Sequence, residues 1–252
     1  MLSQVIWWSS IALEVLLLVR GFRTRLAFRC PVFFGYVFFV LVFEDILSFL
    51  INRWDPALYY YSYWITEFAG LLIGCGVVLE IFRVALQRYP GTARMARNAL
   101  LVVFALVLAK GFIAAAHDSR WWLEANTLQI EGILRTVQAL AILALAAVFL
   151  LYSIPVARNL LGILLGYGTY VAVLAICLTF IPTVGHGFWF YAVPTAFLAA
   201  LCVWLGFLWS FSEVPITEPS ADELGNDYRE VAVATRRRLQ NARGQLGRAV
   251  RP

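Results

Sequence analysis

Apolar runs about as long as a bilayer's hydrocarbon core, roughly 20 residues, recur from one end of this 252-residue chain to the other. No other feature narrows the available folds as much. Lipid offers no partner to a backbone N–H or C=O, so a run that crosses it must close its own hydrogen bonds as a helix. Strands of a membrane barrel alternate apolar and polar residues, and these runs do not. A content of 62% apolar and 14% charged residues also lies outside the range of soluble domains. The expected fold class is all-α, a polytopic membrane protein.

Seven spans are expected, at about 2–19, 31–51, 59–82, 98–116, 128–152, 159–180 and 188–211. They make a bundle over 1–211, followed by a polar tail over 212–252. The third run is the reference for the others: it starts in tyrosines, carries Glu67 inside, thins to Gly70, Gly74 and Gly76, and ends at Glu80 and Arg83. The first run lacks a basic leading segment and a small-residue cleavage site, so it reads as a span rather than a removable signal. Pro31 suits the first turn of a helix, and Pro90–Gly91 breaks the chain between the third and fourth spans. Glu80 and Arg83 read as a solvated pair at the membrane face.

Arginine placement sets an expected orientation. Sixteen of the 20 basic residues fall on one side: Arg20 to Arg29, Arg83 to Arg97, Arg158 and the tail. Arg53 and Arg120 fall on the other, and Lys110 and Arg135 lie within spans. Positive charge stays cytoplasmic, so the N-terminus is expected outside, the C-terminus inside, and the protein in a cytoplasmic (inner or plasma) membrane. In helix count and orientation this resembles G-protein-coupled receptors and the seven-helix sensor modules attached to some bacterial kinases. The resemblance implies a ligand held between helices and a signal passed inward. Retinal is argued against directly, because the one lysine, Lys110, lies in the fourth span and the seventh has none.

Ionisable groups inside a bilayer are costly and by default mark function or mutual pairing. At 1.5 Å per residue, Glu44, Asp45, Glu67, Lys110, Glu131 and Arg135 all fall roughly 6–12 Å below the outer helix ends. They form one expected layer. Tyr60, Trp64 and Glu67 share a stripe by helical spacing, which makes the two aromatics candidate pocket walls. Glu131 stands four residues before Arg135, the favourable order for an intrahelical pair. Four acids against two bases leave the layer at a formal −2. Either two acids carry protons, or a cation or cationic ligand completes the site. Glu14, deep in the first span, has no partner evident in the sequence.

Other chemistries find little support. Cys30, Cys75, Cys177 and Cys202 form no CxxC pair and read as small core residues, with acylation of Cys30 as a secondary thought. HExxH, GxSxG and a phosphate loop are missing from the sequence. No metal site, cofactor or nucleic-acid partner is implied, and the reading leans away from an enzyme. Most aromatics at span ends read as interfacial anchors. Gly70-xxx-Gly74 and Gly162-xxx-Gly166 read as close-packing signals, and Pro194 as a kink. A basic amphipathic helix at about 226–247 is expected to meet anionic lipid or a protein partner.

Three functional readings follow. The first is a receptor-like or sensor-like protein that binds a small apolar or amphiphilic ligand, cationic in one version, in an outer-half polar pocket. The second is an intramembrane enzyme on an apolar substrate, such as an isoprenoid cyclase using a buried acid. The third is a structural subunit of a larger membrane complex, with its charges paired.

Overall fold

A computed structural model describes residues 2–87, 90–117, 122–151, 157–184 and 186–209. The basic tail with its expected helix at 226–247, and the expected turn at 153–155, lie outside the described residues. Within them the chain is helical and no strand occurs. The helices are α1 (Leu2–Arg23), α2 (Leu26–Arg29), α3 (Pro31–Phe39), a π-helical segment (Val40–Leu47), α4 (Ser48–Trp54), α5 (Pro56–Ala85), α6 (Pro90–His117), α7 (Trp122–Leu151), α8 (Arg158–Val184) and α9 (His186–Leu208). Seven segments of these described residues are long and apolar enough to cross a bilayer. The chain is an all-α, seven-helix polytopic membrane protein, with α3, the π segment and α4 forming one span.

The arginine-rich stretch between the first two spans is more ordered than an open loop. Thr24 closes α1 by donating its backbone N–H and its hydroxyl to the Arg20 carbonyl, both at 2.9 Å. Arg25 then adopts φ 58°, a left-handed conformation that costs a residue with a Cβ roughly 1–2 kcal/mol. That single reversal starts α2, whose Leu26 and Ala27 are buried. Pro31 takes the first position of α3, as its fixed φ and missing N–H allow.

Glu80 secures this junction from α5. Its carboxylate accepts the backbone N–H groups of Phe33 at 2.8 Å and Val32 at 3.2 Å, two orphan donors of the α3 N-terminus. Negative charge is favoured there by the helix dipole, and Arg83 adds a contact at 3.4 Å. The expectation of a solvated surface pair is therefore corrected: Glu80 is buried and caps another helix, and only Arg83 is exposed. Cys30 is buried beside it, and this burial, reinforced by the Glu80 charge, pushes its thiol up to about 11. An inert core cysteine is the result.

Close packing between the later helices follows small residues. Gly166 of α8 receives the indole of Trp204, a side chain that is fully buried, and Gly162 receives Phe207. A side chain at either glycine would overlap α9. The core continues through Phe33 against Trp204 at 4.9 Å and Tyr36 against Tyr167 at 5.7 Å, both edge-on. α1 packs on α9 and α3, whereas among the described residues α6 touches only α5 and α7. The span on α6 is just 11% buried against 56% for that on α8, so α6 is peripheral.

Candidate functional site

The second span does not stay α-helical. Over Val40–Leu47 its turns widen to π-helix, and the Ser48 hydroxyl donates back to the Phe43 carbonyl at 2.9 Å. Such widened turns frequently accompany functional sites. This one carries the adjacent acids Glu44 and Asp45, and it sends them to different neighbours.

Asp45 meets α1. Its Oδ1 accepts the indole N–H of Trp7 at 2.9 Å. Two turns along the same face of α1, the Glu14 carboxyl adjoins Asp45. Glu14 has no exposed surface. Apart from each other, neither the Glu14 oxygens nor Asp45 Oδ2 has a hydrogen-bond partner among the described residues. Glu44 meets α5 instead: its Oε1 lies 2.5 Å from where a Cβ at Gly70 would stand. Gly70 is thus a slot for a carboxyl rather than a helix-contact point.

Between α1, the π segment, α8 and α9 lies a cavity of about 690 Å³, inside the range of ordinary ligand sites. Glu44 and Asp45 stand on its wall. Six aromatic side chains line it: Trp7, Trp8, Phe49, Tyr170, Tyr191 and Phe197. No basic side chain lines it among the described residues.

A second polar group lies deeper in the bundle, centred on Arg135 of α7. Arg135 is 3% exposed; its Nε is 3.4 Å from Glu131 Oε1 and its Nη2 is 3.9 Å from Glu67 Oε1. Its Nη1 has no hydrogen-bond partner in the described residues and points to the space at Gly74, which the Tyr167 hydroxyl also fills. One turn further, Gln138 donates to Cys75 Sγ at 3.1 Å. Gly74, like Gly70, is a recess for polar groups. Removing either partner from such a pair strands a buried charge, which is why the pair is a liability as well as a lock.

Apart from Glu80, which is paired elsewhere, five carboxyls among the described residues, on Glu14, Glu44, Asp45, Glu67 and Glu131, share the interior with one guanidinium, on Arg135. Lys110, expected in the same layer, is exposed on peripheral α6, so its charge does not enter this count. Of the other residues expected at a site, Glu44 and Asp45 border the cavity, and Glu67, Glu131 and Arg135 gather behind it. Trp64 is 8% exposed and packs edge-on against Tyr63 and Tyr60, while Tyr60 is 42% exposed. Neither Tyr60 nor Trp64 lines the cavity.

Sequence reasoning missed Trp7, Tyr170 and Phe197. Trp7 carried a signal that pointed elsewhere, since tryptophan near a span end reads as an interfacial anchor. Tyr170 and Phe197 sit in uniformly apolar runs where no pattern separates a cavity wall from core. The described residues hold no cluster of metal-ligating side chains. No family model matches the chain, and no curated protein or solved structure matches it.

Proposed function

We propose that this is a receptor-like or sensor-like membrane protein that holds a small apolar or amphiphilic ligand in the cavity between α1, the π segment, α8 and α9. The observation that carries the reading is the cavity itself: about 690 Å³, six aromatic walls and two carboxyls on a π-helical turn. Apolar walls with a few convergent polar groups are the usual make-up of a small-molecule site. With the N-terminus outside, as the arginine bias favours, the site lies in the outer half of the membrane. The basic tail then lies on the cytoplasmic side, where it meets a protein partner or anionic lipid.

Mass spectrometry of lipid extracted from protein purified in mild detergent tests this, with Val193→Trp as a variant that fills the cavity. A defined small molecule in the wild type, depleted in the variant, is expected. Bulk lipid alone in both would overturn the reading.

An intramembrane enzyme is the second reading, favoured by the Glu14–Asp45 carboxyl pair standing against aromatic walls. There a carboxylic acid would protonate an apolar substrate and the rings would stabilise the resulting carbocation. Under that reading, Asp45→Asn protein would carry a different, unconverted molecule in its extract.

A further inference from the structure

The cavity is one-sided in charge. Its wall bears Glu44 and Asp45 and, among the described residues, no base. Arg135, the nearest buried cation, is held by Glu131 and Glu67. Asp45 Oδ1 is taken by the Trp7 indole, and its other oxygen is enclosed with the Glu14 carboxyl as a neighbour. Two adjacent carboxyls on one wall favour a ligand that brings positive charge to them over one that does not. Aromatic faces suit the same kind of ligand, because a ring's negative face attracts a cation that has left water. An anionic head would meet two carboxyls, and a neutral head would leave the charge imbalance where it stands.

On the reading of this cavity as a ligand site, we infer that its ligand is a single-chain amphiphile with a protonated amine head. The ammonium lies against the Glu44 and Asp45 carboxyls of the wall, and the Trp7 and Tyr170 rings flank the alkylated nitrogen. The chain lies along Phe197 and Val193 of α9. Binding brings one of the positive charges that the five interior carboxyls lack. A membrane-dissolved ligand also matches the position of the cavity, which lies along the membrane-spanning parts of its helices.

The test uses full-length protein in phosphatidylcholine nanodiscs, with empty nanodiscs subtracted for partitioning. The probes are radiolabelled N,N-dimethyldodecylamine and dodecan-1-ol, which share a chain and differ in the head. Saturable amine binding, about tenfold or more tighter than the alcohol, is expected. That preference should vanish in Asp45→Asn while Val193→Trp abolishes binding of both probes. Equal affinity for the two, both lost in Val193→Trp, would overturn the amine head and leave the cavity reading standing. Binding unaffected by Val193→Trp would overturn both. Glu44→Gln gives a second loss of charge should Asp45→Asn fail to fold, and the amine-to-alcohol ratio of the wild type decides the point without any variant.

Discussion

Glu80 and Asp45 are both acids inside apolar helices, yet the two ends of the bundle treat them in opposite ways. Glu80 is enclosed by partners: two backbone N–H groups of α3 and the Arg83 guanidinium, within a turn that also places Pro31. Asp45 has one indole N–H, a second carboxyl for a neighbour and a cavity in front of it. A carboxylate whose acceptors are filled by the protein is structural. One whose acceptors are left over, beside space for a molecule, is available to bind. The contrast rests on what surrounds each charge, since the two runs are equally apolar in the sequence.

The strongest way to disturb this contrast is at Arg135, which belongs to neither end. Arg135→Met strands Glu131 and Glu67 without a cation, and a loss of about 3–5 kcal/mol is expected from breaking a buried pair on one side. Unfolding in a denaturing detergent titration would measure it. A stability within the error of wild type would mean that the guanidinium neutralises nothing. Next comes Glu80→Ala, expected to cost about 1.5–3 kcal/mol through the loss of charge-assisted bonds to the α3 N-terminus. Amine binding should be unchanged in that variant, and a loss of binding would erase the distinction between the two ends.

A smaller effect is expected where the glycines make room. Gly74→Ala puts a methyl 2.6 Å from the Tyr167 hydroxyl and 3.4 Å from Arg135 Nη1, which forces the buried cluster to shift at about 1–2 kcal/mol. Equilibrium unfolding beside Gly206→Ala, whose Cβ meets nothing within 4 Å, isolates the crowding. Equal costs for the two would contradict it.

The smallest effect concerns Cys30, where reactivity is a finer probe than stability. With its thiol pushed up to about 11 by burial, maleimide labelling of Cys30 in the folded protein, read on its own peptide by mass spectrometry apart from exposed Cys202, should be slow near neutral pH and should accelerate as the pH climbs towards that value. The sign follows from the thiolate being the reactive form. Rapid labelling near neutral pH would show that the α2–α3 junction opens.

Much of the fold was legible because lipid leaves a long apolar run only one solution. Seven helices, their order and the break at Pro90 follow from run length and punctuation. The π-helical turn was not legible: VLVFEDIL contains no proline or glycine, and the widening became evident only with the neighbours of Glu44 and Asp45 in view. Glu80 misled for a related reason. Four residues from Val84 and three from Arg83, it resembles any acid at a span end, and its true partners are 47 and 48 residues away. The meeting of Glu67, Glu131 and Arg135 agrees with depth counting, because helices of similar length bring equal depths together, whereas Asp45, counted to the same depth, faces α1 instead. Facing around the helix axis was harder, and Lys110 illustrates it: the depth was matched but the side chain lies on the exposed side of an outer helix.

One measurement separates the two ends most directly: unfolding of wild type, Asp45→Asn and Glu80→Gln in nanodiscs, each with and without N,N-dimethyldodecylamine held below its micelle-forming concentration. A ligand that binds only the folded state stabilises it by mass action, about 2.7 kcal/mol at a hundred times Kd. The account predicts that this increment appears in wild type and in Glu80→Gln, although the latter starts less stable, and disappears in Asp45→Asn. An increment of the same size in all three, or in none, would contradict the claim that the carboxyls left over at the cavity form a binding site.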